Sequence, residues 1–331
     1  MAFGFFDVFI VIAVMLTLII PGFVLRKLNF VDKSAIRPLV MVLLYVCMPF
    51  LTIKSFVLSE AEPSGELAVN MLIMFGFAFA VHIFAFLFLK PVFRSKDKLK
   101  NGALTLCSVF SNAGFIGIPF VKLLTGDDTA VIYAAVFSCA FNMLIWTLGV
   151  YIITGDVKMM SPLKGILNPA VIVLVIALPM FFIPQANIFV MPRLTMLGTA
   201  VQYLGDATLP ISMLIVGIRM ADIPLKSLFI NWRLYVAAAA KLLFEPLMTF
   251  LLLLPFLLTG ALNGIDPGRH IVIVLVILAA MPPAASCIAM AERFERDVDT
   301  AVKGYLLATL LSIITLPAVL TLLTKLIEII P

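Results

Sequence analysis

Residues 104–120 read Leu-Thr-Leu-Cys-Ser-Val-Phe-Ser-Asn-Ala-Gly-Phe-Ile-Gly-Ile-Pro-Phe, and no other stretch limits the fold so tightly. Its setting is apolar enough to lie in a bilayer. Yet Ser111, Asn112, Gly114, Gly117 and Pro119 crowd positions that a plain spanning helix fills with Leu and Val. Proline removes a backbone donor and glycine loosens the turn around it, so the helix is expected to break here. A break at that depth must satisfy its freed amides and carbonyls against protein, water or ligand.

The remainder of the chain supplies that bilayer setting. Hydrophobic residues make up 63% of 331 positions and charged ones 12%, with a mean hydropathy of +1.19. Soluble domains carry roughly 45–50% apolar residues, so this composition implies a polytopic membrane protein with one membrane domain. A bilayer is spanned by about 20 mostly apolar residues. On that measure ten spans are predicted, near 5–25, 36–56, 67–89, 101–123, 129–153, 166–184, 195–218, 230–257, 268–291 and 303–327. The first lacks a basic n-region and a small-residue cleavage site, and is expected to be a retained span rather than a signal peptide. Cys47, Cys107, Cys139 and Cys287 all lie inside apolar segments with no metal or disulfide spacing, and read as small core residues.

Charge orients the spans. The loops after the first, third, fifth, seventh and ninth hold Arg26, Lys27, Lys33, Arg37, Lys90, Arg94, Lys96, Lys98, Lys100, Lys158, Lys164, Arg219, Lys226, Arg233, Arg293, Arg296 and Lys303. The alternate side holds Lys54, Lys122, Arg193, Arg269 and Lys325, while Lys241 falls inside span eight. Basic residues collect in cytoplasmic loops, so both termini are expected outside, in a multi-pass protein of the cell membrane. The net charge of +5 follows from that topology and from contact with anionic lipid; no nucleic-acid partner is needed to explain it.

Five spans is an odd number, so two five-helix halves would be inverted relative to each other. Met48-Pro49-Phe50-Leu51 resembles Leu209-Pro210-Ile211-Ser212, and the break at Asn112 faces Met281-Pro282-Pro283-Ala284-Ala285-Ser286. Pro49 and Pro119 stand 70 residues apart, Pro210 and Pro282 stand 72. The register is open, since Asn112 aligns equally well with Pro283. The expected fold is thus all-α and integral to the membrane, with ten helices in two inverted repeats. Residues 1–154 and 166–331 would be the repeats, and 155–165 a short cytoplasmic linker. Paired interrupted segments of this kind point to a transport site.

Ser111-Asn112-Ala113-Gly114-Phe115-Ile116-Gly117-Ile118-Pro119, Leu167-Asn168-Pro169-Ala170, Ala207-Thr208-Leu209-Pro210 with Gly217, and Met281-Pro282 leading to Ala291-Glu292-Arg293-Phe294 resemble the auxin efflux carrier family in order and spacing. The resemblance covers nearly the whole chain and includes Asn142. It implies a fold similar to bile-acid sodium symporters, with spans four and nine unwound where they cross, and a homodimer. It also implies that spans one, two, six and seven move against the other six. Bacterial-type members are proposed to carry malate or malonate, and plant members export auxin. Only about a dozen residues separate spans five and six here, so the long regulatory loop of plant members is missing and auxin is not carried over as the substrate.

The expected cargo is therefore a small mono- or dicarboxylate. Asn112 donates to an anion without the cost of a buried cation, or else caps the second half-helix. Ser111, Gly114, Asn142, Pro282, Pro283 and Ser286 complete the expected substrate site, Asn142 through the resemblance, with helix-to-helix packing as the alternative for Asn142 and Ser286. Asp206 in span seven is a candidate for sodium or proton coupling, or else pairs with a cation such as Lys241 in a structural role. Lys241 and Glu245, four apart on span eight, either join it or neutralise each other. His82 reads as a packing residue. No cofactor or metal centre is expected, and His82 and His270 sit in no enzymatic motif. A secondary carrier working by alternating access is the leading expectation. A sodium- or proton-coupled symporter of another solute, a uniporter and a channel-like facilitator are the alternatives.

Overall fold

The computed structural model describes residues 2–93, 98–191, 194–262 and 269–330, and among these every regular element is helical. Arg94, Lys96 and Arg193 of the charge pattern, and position 268 at the start of the expected ninth span, lie outside the described residues. In chain order the principal helices are α1 (Phe5–Lys27), α2 (Lys33–Val57), α3 (Gly65–Val92), α4 (Lys98–Val109), α5 (Ala113–Thr125), α6 (Asp128–Thr154), α7 (Pro169–Phe182), α8 (Thr195–Asp222), α9 (Trp232–Leu258), α10 (His270–Ala280), α11 (Ala285–Arg293) and α12 (Val298–Ile329). Among the described residues, α1, α2, α3, α6, α8, α9 and α12 are long and apolar enough to cross a bilayer, which makes the chain a multi-pass membrane protein.

The sequence predicted ten full-length spans, and the difference has a physical cause. The expected fourth and ninth spans are each interrupted, into α4 and α5 and into α10 and α11, so neither half reaches full length. The sixth, α7, has 14 residues, about 21 Å at 1.5 Å per residue against roughly 30 Å of hydrocarbon.

Local chemistry sets the helix ends. Side chains of Ser64, Asp127, Asn168, Asn231 and Asp297 accept from the first-turn amides of α3, α6, α7, α9 and α12, the usual N-cap arrangement. Proline shapes the interiors. Single π turns occupy Leu43–Cys47, Ala113–Gly117 and Ala240–Phe244, and the second residue beyond each is Pro49, Pro119 or Pro246. A proline ring collides with the carbonyl four residues back, and in all three cases that carbonyl lies inside the wider turn, which relieves the collision.

Helices α1 and α7 pack on α8 and α2 respectively, and α8 also packs on α2. On the other side α3 packs on α6, α9 on α12 and α10, α5 on α6, and α4 on α12. Helix α10 is buried on every side from Ile271 to Ala280, so it forms the centre of the molecule. The α1–α8 contact is backbone on backbone. A Cβ at Gly22 would stand 2.1 Å from the Leu214 carbonyl oxygen, and one at Gly217 would stand 2.2 Å from that of Ile19. Small residues are what allow helices to approach this closely.

Gly217→Leu is expected to lower the thermal unfolding midpoint in detergent by the equivalent of at least about 1–3 kcal/mol, the ordinary cost of overpacking. Gly76→Leu is the control, because a Cβ there meets nothing within 4 Å; equal midpoints for the two variants would show that the α1–α8 contact does not constrain the fold.

Candidate functional site at the crossing of two broken segments

The two interruptions meet. Asn112 N donates to Pro282 O at 2.8 Å and Ala284 N to Phe110 O at 2.8 Å, on either side of an antiparallel pairing of Ser111 with Pro283. In such a ladder the residues of a non-hydrogen-bonded pair contribute neither amide nor carbonyl to each other. Pro283, which has no N–H, occupies that position without loss. The freed backbone of both segments is thus satisfied by the other segment, as the low-dielectric setting demands.

On one side of this crossing lies a cavity of about 40 Å³, room for about three ordered waters or one carboxylate group. Its lining includes Met48, Ser111, Asn112, Gly114, Ser138, Asn142, Asn168 and Ser286. Several donors there are free. The Ser138 hydroxyl is buried without a partner. The side chains of Asn112 and Ser286 bond to no other described residue, and Asn168 uses its oxygen to cap α7, leaving its amide nitrogen. Asn142 Nδ2 is turned back to Ser138 O at 2.7 Å. Helices α5 and α11 both begin at the cavity, and neither carries a side-chain cap. The alternative that Asn112 caps α5 is therefore not what the structure contains. Uncapped first-turn amides bring a partial positive charge from each helix end. Gly114 keeps the floor open, since a Cβ there would stand 2.8 Å from Met48 Cε and 3.0 Å from Ser138 Oγ. The lining holds no ionised group, and its free side-chain donors and helix ends suit an anion.

Behind the lining stands a buried ion pair. Lys241 and Glu245 are both fully buried and bonded to each other. Lys241 Nζ also donates to Ser111 Oγ at 2.5 Å and to Ala279 O at 3.1 Å. Ala279 belongs to the last turn of α10, whose terminal carbonyls lack helical donors. The ammonium thus braces both broken segments at once, and Glu245 neutralises it.

The structure brings Ser111, Asn112, Gly114, Asn142 and Ser286 to one cavity, with Lys241 and Glu245 one hydroxyl behind it. Pro282 and Pro283 are absent from that lining and form the crossing itself; Pro282 faces a second cavity with Ile116 and Phe120. Asp206 is elsewhere: half-exposed and paired with Lys54, it does not meet Lys241. Sequence reasoning missed Ser138 and Asn168 as lining residues. Ser138 was legible as the residue one turn before Asn142 on the same helix face. Asn168 entered the sequence reading only within the Leu167-Asn168-Pro169-Ala170 motif, and tertiary packing carries it to the cavity. His82 is buried against Phe110 and Phe137, its ring nitrogen bonded to Ala78 O at 2.7 Å.

A family model described as membrane transport protein matches residues 7–159 and 154–320. An uncharacterized transporter of Methanocaldococcus jannaschii is 24% identical over 325 residues, covering 92% of this chain and 96% of the relative. An uncharacterized transporter of Methanothermobacter thermautotrophicus is 22% identical over 304 residues, covering 91% of this chain and 94% of the relative.

Lys241→Met is expected to cost roughly 3–5 kcal/mol, because it strands the buried Glu245 carboxylate. Adding Glu245→Leu should recover most of that loss, since neither partner then remains unpaired. Unfolding midpoints in detergent read the cycle; strictly additive losses would mean the two charges are not coupled.

Proposed function

Because the chain belongs to the membrane transport protein family, the auxin efflux carrier family whose motifs it carries, we propose that it is a secondary carrier. It moves a small mono- or dicarboxylate across the plasma membrane by alternating access about the crossing. The observation that carries this reading is the donor-rich, uncharged cavity beside the paired Ser111 and Pro283. An anion entering it gains hydrogen bonds from Asn112, Ser138, Asn168 and Ser286 and the favourable ends of α5 and α11. No ionised residue of the lining has to be neutralised first.

In this reading the chain makes ten crossings in two inverted repeats, 1–154 and 166–331, joined by 155–165. The packing partners support it pair by pair. Helix α3 lies on α6 as α9 lies on α12; α4 lies on α12 as α10 lies on α6; α5 lies on α6 as α11 lies on α12. Each contact maps onto its counterpart when the two halves are exchanged. Helices α1, α2, α7 and α8 then form one body and the rest the other, and relative motion opens the crossing to alternate sides. A second cavity of about 30 Å³, lined by Pro282, Ile116, Phe120 and Thr309 among others, lies farther along α5, and we take it as the counterpart of the first on the opposite side. In this reading the basic loops at the ends of α1, α3, α6, α8 and α11 face the cytoplasm and both termini lie outside, as the positive-inside bias favours. The assembly is a homodimer embedded in lipid.

Two charge pairs bear on coupling. Lys241–Glu245 is neutral as a unit and engaged with the backbone of the crossing, and Asp206 is half-exposed and paired with Lys54. We assign both pairs to structure, and the substrate gradient to driving transport. A symporter is the second reading, favoured by the unpartnered Glu245 Oε1 beside the crossing.

Asn112→Ala is expected to lower kcat/KM for malonate or malate uptake into proteoliposomes at least tenfold. That corresponds to about 1.5 kcal/mol, the low end for a hydrogen bond to a charged group. Unchanged flux and affinity in a normally folded variant would remove Asn112 from the site. Imposed sodium or pH gradients are expected to leave the initial rate unchanged; acceleration that disappears in Glu245→Gln would establish the symporter instead.

A further inference from the structure

Beyond the Asn112 cavity, where α6 and α11 end, a larger cavity of about 440 Å³ is lined by Trp146, Met159, Ser161, Lys164, Arg293 and Phe294. Lys164 Nζ stands 5.8 Å and Arg293 Cζ 5.3 Å from the centroid of the Trp146 ring. Two cations are held at one indole, and among the described residues neither meets a carboxylate. Of the acids nearest in sequence, Glu292 pairs with Arg219 at 3.6 Å and Asp156 accepts from the Lys158 amide at 2.8 Å, while Glu295, two residues beyond Arg293, does not line the cavity.

The arrangement is built into the backbone. Trp146 lies in a π turn at Ile145–Gly149, and Ser161 N donates to Trp146 O at 3.1 Å. That bond ties the connecting segment, and with it Lys164, to α6. Gly165 presses the same segment on α6 so closely that a Cβ would stand 2.9 Å from Met143 O. A cation over an exposed aromatic face gains only about 0.5–1 kcal/mol, so the two charges retain most of their capacity for an anion. Met159 and Phe294 wall the space with apolar surface, which strengthens a charge–charge contact relative to open water.

Its place relative to the crossing is fixed by shared helices. Trp146 follows Asn142 by one turn of α6, about 6 Å, and Arg293 follows Ser286 by two turns of α11, about 10 Å. Lys164 precedes Asn168 by four residues. We propose that Trp146, Lys164 and Arg293 form an outer anion site. It receives a small carboxylate and concentrates it at the mouth of the Asn112 cavity, the carboxylate lying between the two cations and its carbon skeleton against the indole. As a step in transport this rests on the carrier reading above; as a binding site it does not.

The chain has two tryptophans, Trp146 and Trp232, so Trp232→Phe leaves Trp146 emission as the reporter. In nanodiscs of phosphatidylcholine, malonate and malate are expected to change that emission saturably, and the combined Lys164→Gln and Arg293→Gln variant to abolish the change. Asn112→Ala in the same background should retain it. In proteoliposomes the double variant is expected to raise KM roughly tenfold, the low end of what electrostatic focusing supplies, with the maximal rate kept. A flat titration, or a response that survives loss of both cations, overturns the site. A response that appears only when phosphatidylglycerol is added overturns it in favour of a lipid headgroup. A saturable Trp146 response without carboxylate uptake leaves the outer site standing while the carrier reading fails.

Discussion

Two short non-helical stretches of backbone, at Phe110–Asn112 and Pro282–Ala284, exchange hydrogen bonds in the interior of a protein built to lie in lipid. Everything around the site follows from that exchange. Helix interruption in a membrane is tolerable only where the released polar groups find partners, and here each interruption is the partner of the other. The pairing holds four helix ends within one small volume. Two of those ends, the starts of α5 and α11, are positive and open to the cavity; the end of α10 is negative and receives Lys241.

The buried pair beneath the crossing shows how such an arrangement is balanced. A lone ammonium at that depth would be costly, and a lone carboxylate equally so. Bonded to each other and to Ser111 and Ala279, they add a charge where the α10 carbonyls need one and leave the cavity itself uncharged. In the proposed carrier reading, selectivity for an anion comes from oriented dipoles and amide or hydroxyl donors, which bind a carboxylate without holding it as tightly as a free cation would, and release is as necessary as capture.

Much of this was legible in the residues. The Ser-Asn-Ala-Gly run followed by Pro119, and the Pro282-Pro283 pair, announced two breaks because proline and glycine act on the backbone locally and independently of fold. Ser111, Asn112 and Gly114, which line the cavity, stood out for the same reason. Asp206 was singled out by depth alone: intramembrane acids are functional candidates by default, but depth along a helix does not say which face the side chain takes. In the fold it meets Lys54 on the outside of the bundle. Ser138 and Asn168 were passed over because one is an ordinary helix residue and the other an ordinary cap until packing brings them to the cavity.

By itself, then, the sequence determined that the chain lies in a membrane, where its helices break and which side chains at the breaks can donate hydrogen bonds. Those properties depend on hydropathy and on backbone chemistry within a few residues. Only the tertiary structure decided that the breaks pair through Ser111 and Pro283, that Lys241 stands under both, and that Trp146, Lys164 and Arg293 gather at one mouth. Partners as distant in the chain as Ser111 and Lys241, or Ser111 and Pro283, are chosen by how whole helices pack, and no local pattern encodes that choice.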